Sequence, residues 1–182
     1  MEMTTWLRNH VAARWIMTVL RVWLGWQWVS AAAEKIGSPV WTGSKAGVAI
    51  TGFLQHASSL SQGPHPAVQG WYAGFIHGVA LPGATFFSYM VSWGELLVGL
   101  ALILGVFTTF AALMGAVMNT AYLLAGTSSS NPVMLIIEVF VMVAGFNAAV
   151  YGLDYWIIPW FRSVVKREGP SPTAGLSGKN GA

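Results

Sequence analysis

Long apolar segments separated by polar stretches dominate the pattern of this chain. The clearest runs from Phe86 to Gly105, FFSYMVSWGELLVGLALILG, and contains one acid, Glu95. At about 1.5 Å of rise per residue, about 20 helical residues cross a hydrocarbon core of roughly 30 Å. The segment is therefore predicted to be a membrane-spanning helix with Glu95 near the middle of the bilayer.

Further apolar segments of suitable length lie at about 13–33, 110–125 and 132–151. Glycine and proline interrupt the region 36–85 too often for a span. Two pieces of it, about 45–60 and 66–80, are expected to form short interfacial helices, with Trp71 covering the bundle. The sequence predicts an all-α integral membrane protein, a four-transmembrane-helix bundle with short interfacial helices in the long first extracytoplasmic loop.

Charge sets the expected orientation and the ends of the domain. Basic residues near the chain ends outnumber those of the long loop: Arg8, Arg14, Arg162, Lys166 and Arg167 against Lys35 and Lys45. Since cytoplasmic flanks are enriched in Lys and Arg, both termini are predicted to be cytoplasmic in a cell-membrane protein. The membrane domain is expected at 13–155, after a cytoplasmic N-terminus at 1–12. A cytoplasmic tail follows at 156–182, and it is expected to be disordered from about 168.

Composition narrows the function classes. Of 182 residues, 55% are hydrophobic and 8% charged, about a third of the charged fraction of a soluble domain. No run of Lys and Arg interleaved with aromatics indicates nucleic-acid binding. The absence of cysteine excludes disulfides, iron–sulfur clusters and c-type haem. None of the histidines, His10, His56, His65 and His77, lies in a predicted span, so neither haem nor metal is indicated.

Steps of four and three residues define a stripe on each helix that is expected to face inward. In the Glu95 helix the stripe comprises Ser88, Ser92, Glu95 and Gly99. In the first span it comprises Arg14, Thr18, Arg21, Gly25, Trp28, Ala32 and Lys35. These stripes are predicted to meet and to pair Arg21 with Glu95; Lys35 is the alternative partner of the acid.

Polar residues also occur in the later spans. Asn119 is expected to make an interhelical hydrogen bond, with ligand binding as the less favoured alternative. Glu138 is expected near the end of its span, as an acid that reaches interfacial water or is hydrogen-bonded. For Glu95 two interpretations remain: a protonated or ion-paired residue that fixes packing, or a group with a proton or ligand role.

Several motifs together resemble the DoxX superfamily of small four-helix membrane proteins. These are Arg21, Gly25 and Lys35 in and after the first span, GELLVGLALILGVFT with Glu95, and AGFNAAVYGLD with Asp154. The long loop with WYAGFIHGVALP resembles the DoxD-type subunit of thiosulfate:quinone oxidoreductase. This resemblance implies a membrane quinone as electron acceptor, thiosulfate as reductant and a small partner subunit.

The resemblance leaves two functions open. In the first, the chain is a redox subunit in which Glu95 and Arg21 are catalytic. Its expected quinone- or substrate-binding residues are Lys35, Trp28, Ser92, Asn119, Glu138 and His77. Quinone reduction takes up two protons with two electrons, which a buried carboxylate could deliver, and Arg21 or Lys35 could bind an oxyanion. In the second, the chain is a non-enzymatic membrane module that anchors a partner complex. A solute or proton conduit is less favoured.

Overall fold

The computed structural model of the chain describes residues 2–167, with side chains to residue 161. Helices connected by short turns make up this part of the protein, and it contains no strand. The helices are α1 (Glu2–Asn9), α2 (Val11–Ile36), α3 (Val48–Ser59), α4 (Gly70–Phe75), α5 (Ala84–Leu104), α6 (Thr108–Leu124), α7 (Asn131–Ala144), α8 (Phe146–Ala149) and α9 (Asp154–Arg167). A π-helical turn, Ile76–Ala80, follows α4. The tail predicted to be disordered from residue 168 lies outside the described residues.

The predicted spans correspond to helices, with two differences in extent. The first is longer than 13–33, because α2 begins at Val11 and ends at Ile36, which brings Glu34 and Lys35 into the helix. The last is shorter than 132–151, because Gly145 ends α7 with φ 57° and ψ −127°, a conformation that disfavours other residues. Among the described helices, Ala84–Leu104 is the one both long and apolar enough to cross a membrane, whereas Thr108–Leu124 and Asn131–Ala144 are apolar but shorter.

The antiparallel pair α2 and α5 forms the centre of the bundle. Gly25 and Gly99 allow their backbones to approach closely, since a Cβ on Gly25 would lie 2.7 Å from the Gly99 carbonyl oxygen. Helix α7 packs on α2, and α6 packs mainly on α7 and less extensively on α5. The two glycines therefore fix the level at which side chains of α2 meet those of α5.

The segment between α2 and α5 contributes a second hydrophobic core. Ile50 and Leu54 of α3, Tyr72 of α4 and Ile76 of the π-helical turn are buried there. Helices occur in both predicted pieces of this segment. The prediction that Trp71 covers the bundle is wrong, because its side chain is 63% exposed. The neighbouring Tyr72 points inward instead, and its hydroxyl donates to the carbonyl of Ala121 at 2.9 Å.

Gly99→Ala is expected to lower the melting temperature of the protein in detergent. The added Cβ would lie 2.8 Å from the Gly25 oxygen and 2.7 Å from Cγ2 of Val29, and such overpacking costs about 1–3 kcal/mol. Gly94→Ala in the same helix is the control, since its Cβ would lie 3.7 Å from Met118, an ordinary contact. Equal stability of the two variants would contradict the close approach of α2 and α5.

Candidate functional site

Glu95 lies on the inward face of α5 and is 1% exposed. The other members of its predicted stripe, Ser88, Ser92 and Gly99, are buried as well. Ser92 donates a hydrogen bond to the carbonyl of Ser88 at 2.8 Å, so its hydroxyl is used within the helix. The Ser88 hydroxyl donates to the Trp41 carbonyl of the long loop at 2.6 Å, so of the polar groups on this face the Glu95 carboxylate is the one that hydrogen-bonds to side chains of other helices.

Two side chains bind the two oxygens of Glu95. Lys35 places its ammonium Nζ 2.7 Å from Oε2, and the hydroxyl of Tyr122 donates to Oε1 at 2.7 Å. The ammonium also lies 5.4 Å from the ring centre of Trp41, within the range of a cation–π contact. The Lys35–Glu95–Tyr122 triad thus joins the end of α2 to α5 and α6.

The predicted Arg21–Glu95 pair is wrong. Arg21 is buried about halfway along α2, where Nη2 donates to the Tyr151 carbonyl at 3.2 Å and the nearby negative charge is Asp154. Asp154 accepts the backbone N–H groups of Phe107 and Thr108 at 2.7 and 2.8 Å, which caps α6. Arg21 therefore connects the turn before α6 to the residues that follow α8. It has no contact with the triad.

A second buried acid, Glu138, receives only neutral donors. Trp28 donates to its Oε1 at 3.0 Å, and the amide of Asn119 lies 3.0 and 2.9 Å from its two oxygens. Glu138 is fully buried, so of the two predicted alternatives the hydrogen-bonded acid is confirmed and contact with interfacial water is wrong. Gly115 provides the space, since a Cβ there would lie 2.5 Å from the carboxylate oxygen. Asn119 makes the interhelical hydrogen bond that its place in a span predicted.

A polar cavity of about 410 Å³ opens beside the triad. Its charged lining residues are Glu34, Lys35 and Glu95, and aromatic lining comes from Trp28, Trp41 and Tyr122. Hydroxyl and amide groups of the turn before α7 complete it: Thr127, Ser129, Ser130 and Asn131. Because Trp28 lines this cavity while donating to Glu138, the second acid lies just behind the cavity wall.

An apolar groove of about 710 Å³ lies between α5, α6 and the helices of the long loop. Its lining includes Phe87, Leu97, Phe110 and Met114. Tyr72 also lines it, and burial raises the pKa of this hydroxyl above its ordinary value, which keeps it protonated. The groove and the polar cavity share Ile50, Phe53, Val91 and Tyr122. Tyr122 therefore stands at the junction of an apolar space and a polar one.

Several of the residues predicted for one site belong elsewhere. Arg21, Ser92, Asn119, Glu138 and His77 do not line the polar cavity. His77 instead lies 2.6 Å from the Ser58 hydroxyl in the long-loop region. Lys35, Trp28 and Glu95 do come together in the cavity wall. Tyr122 was not predicted as a site residue, although it lies on the same helical stripe as Asn119.

Chemically, the triad is a carboxylate held between an ammonium and a phenol. The Tyr122 hydroxyl has one proton and donates it to Glu95, so it could donate to a ligand only after turning away from the carboxylate, and Glu95 could replace that proton only once it is itself protonated. Lys35 keeps the carboxylate from being left as an unpaired buried charge. Such a set suits proton exchange with a small polar group at the edge of an apolar space.

Comparison with known proteins establishes the class of this chain. The DoxX family model matches residues 16–125, more than half of the chain, and the chain therefore belongs to the DoxX family, which is membrane-associated. The matched region includes Lys35, Glu95 and Tyr122 and stops before Glu138 and Asp154. No curated protein and no solved structure gave a match.

A double-mutant cycle that replaces Lys35 and Glu95 by neutral residues tests the ion pair. Lys35→Met and Glu95→Gln are each expected to lower the melting temperature, because each leaves a partner group uncompensated. The double variant should be less destabilised than the sum of the two single variants, with a coupling energy of about 0.5–3 kcal/mol. The control cycle with Arg21→Met in place of Lys35→Met should be additive. Additivity in the Lys35 cycle, or coupling in the Arg21 cycle, would contradict this assignment.

Proposed function

We propose that this DoxX-family chain is the membrane subunit of a quinone-linked oxidoreductase, with the quinone headgroup bound against Tyr122 and Glu95. The observation behind the proposal is the position of Tyr122, which lines both the polar cavity and the apolar groove while its hydroxyl donates to Glu95. A membrane quinone has the same two parts, a polar ring and an apolar tail. Its tail would occupy the groove while its ring carbonyl reached the phenol.

The proposal also includes four segments that cross the membrane. Helices α2, α5, α6 and α7 with α8 would cross the bilayer. Their outward surfaces are apolar, with exposed residues on each: Val19 and Trp26, Leu97 and Leu104, Phe110 and Val117, Ile136 and Val139. Glu95, Glu138 and Arg21 are buried between the same helices. Apolar surface outside and paired polar groups inside are typical of a bundle surrounded by lipid.

The triad supplies what quinone reduction needs from the protein. Two electrons and two protons convert the quinone into the quinol, one proton at each carbonyl oxygen. Once Glu95 has taken up a proton, Tyr122 would turn its hydroxyl from the acid to one quinone oxygen and donate there, and Glu95 would replace the proton after transfer. Further protons would enter along the hydroxyl-rich side of the polar cavity at Thr127, Ser129 and Ser130. Lys35 would stabilise the carboxylate between transfers.

The electrons must come from a reductant, for which the DoxD-type motifs favour thiosulfate or a related sulfur compound. Joining two thiosulfate ions through a sulfur–sulfur bond releases the two electrons that one quinone takes up. The charges of Glu34 and Glu95 outnumber that of Lys35 in the polar cavity, which disfavours a dianion there. We therefore place the oxidation of the sulfur compound on a small partner subunit.

A non-enzymatic membrane module is the second candidate. The apolar lining of the groove between α5 and α6 also suits an apolar helix of a partner protein. In that case the triad would fix the packing of α2, α5 and α6, and no quinone would compete for the groove.

Tyr122→Phe separates the two functions, since it removes the hydroxyl and keeps the ring. Thiosulfate-dependent reduction of a short-chain quinone analogue, by purified protein with its partner subunit, should fall about 100-fold. The matched control is Tyr89→Phe, whose hydroxyl bonds to the Thr42 carbonyl outside both spaces. Equal turnover in the two variants would contradict the proposed role of Tyr122. Absence of quinone-dependent tryptophan quenching in the unmodified protein would favour the module.

Both termini are proposed to be cytoplasmic, which single-cysteine variants can test because the chain has no cysteine of its own. In intact cells, Ser59→Cys in the exposed part of the long loop should react with an impermeant thiol reagent. Ser177→Cys should react only after the membrane is permeabilised. The reverse labelling would contradict the orientation, and labelling of both sites in intact cells would contradict an even number of spans.

A further inference from the structure

A small pocket lies at the end of the bundle opposite the polar cavity, where α1 meets the break between α7 and α8. Its volume is about 330 Å³, and its polar lining comes from Arg8, Arg14 and Asn147. Gly145 and Phe146 form part of the wall at the helix break. We call this site the arginine pocket. No residue of it contacts the Lys35–Glu95–Tyr122 triad, so it is a separate site.

The two guanidinium groups of the arginine pocket are held in position by neutral acceptors. Arg8 donates from Nε to the Val143 carbonyl at 3.0 Å, and Arg14 donates from Nε to the Asn147 side-chain oxygen at 3.0 Å. Asn147 is itself fixed, since its amide donates to the carbonyl of Leu7 at 2.7 Å. Each arginine therefore uses Nε for anchoring and keeps the N–H groups of its two terminal nitrogens for another acceptor.

The positive charge of the arginine pocket is not neutralised by a carboxylate of the described residues. Through residue 161, neither Arg8 nor Arg14 lies within ion-pair distance of a carboxylate. Lys35, by contrast, is paired with Glu95. Two anchored guanidinium groups beside one small pocket provide the fork geometry that binds phosphate oxygens.

The surroundings of the arginine pocket indicate where the phosphate comes from. Phe146, in its wall, is 44% exposed, and Trp15 stacks on Tyr151 at 4.3 Å between ring centres nearby along α2. Trp6 on α1 is exposed as well. Exposed aromatic rings are typical of the zone where lipid headgroups meet acyl chains. A ligand there would place its phosphate at the arginines and its chains along the aromatic surface.

We propose that the arginine pocket binds the phosphate of an anionic phospholipid. The lipid would bridge α1, α2 and the α7–α8 break, and would hold α1 against the bundle. This site is independent of the quinone proposal, because it shares no residue with the triad, the polar cavity or the apolar groove.

Titration of the purified full-length protein in detergent with short-chain phosphatidylglycerol tests the site, with melting temperature followed by tryptophan fluorescence. Phosphatidylglycerol should raise the melting temperature, and phosphatidylcholine should not. In the double variant Arg8→Gln with Arg14→Gln, the apparent affinity for phosphatidylglycerol should fall about tenfold or more. This is the loss expected for one charged hydrogen bond. Lys45→Gln, which removes an exposed cation in the long loop, is the matched control and should respond normally.

Each of four results would overturn the proposal. An equal response to phosphatidylcholine would show that charge is not recognised, and an equal loss in Lys45→Gln would show that net charge alone matters. A full response to inorganic phosphate at the same concentration would identify a free anion, not a lipid, as the ligand. If the double variant does not fold, Arg8→Gln alone serves, since Arg8 is exposed and makes one hydrogen bond; an unchanged response there would also refute the site.

Discussion

One face of α2 supplies a donor to a polar partner at each level of the bundle, and the other helices are arranged around those contacts. The donors recur every seven residues: Arg14, Arg21, Trp28 and Lys35. They meet Asn147, the Tyr151 carbonyl beside Asp154, Glu138 and Glu95 respectively. Seven residues are about two helical turns, or roughly 10.5 Å. The contacts are therefore stacked along the whole helix, and each ties α2 to a different segment.

The three buried acids differ in how their charge is balanced, and this difference separates structure from chemistry. Asp154 accepts two backbone N–H groups and faces Arg21, and it lines neither the polar cavity nor the apolar groove. Glu138 has neutral donors and lies behind Trp28. Glu95 alone among them has an ammonium partner, a phenol partner and contact with open space. A buried group that must exchange a proton needs access to a ligand as well as stabilisation, and only Glu95 combines both.

The sequence predicted the inward faces better than the pairs between them. Helical spacing alone placed Arg21, Trp28, Lys35 and Glu95 on inward stripes, because that inference needs only the 3.6-residue period. Pairing depends on the relative depth of two helices, which the Gly25–Gly99 contact sets and which spacing within either helix does not contain. Lys35 reaches Glu95 because helix side chains lean towards the N-terminus of their own helix. Arg21 instead lies beside Gly105, just after the end of α5, whereas Glu95 lies in the middle of that helix.

Residues distant in sequence were the hardest to assign. Tyr122 had a visible signal, since it lies one turn after Asn119 on the inward stripe of α6, but nothing in the spacing indicated that the stripe ends level with Lys35. Asp154 was noted only as part of the AGFNAAVYGLD motif, and nothing in that motif indicated that its carboxylate caps α6. The last span was predicted too long, because a glycine within an apolar run does not reveal the positive φ with which Gly145 ends α7.

The two ends of α2 differ in charge, and that asymmetry bears on orientation. At the Lys35 end, Glu95 neutralises the cation and Glu34 adds a negative charge beside the polar cavity. At the other end, Arg8 and Arg14 have neutral partners only. Uncompensated cations are favoured on the cytoplasmic side, where the leaflet is rich in anionic lipid. The charge difference that favours cytoplasmic termini is therefore also the one on which the proposed anion site at that end and the proposed quinone site at the other depend.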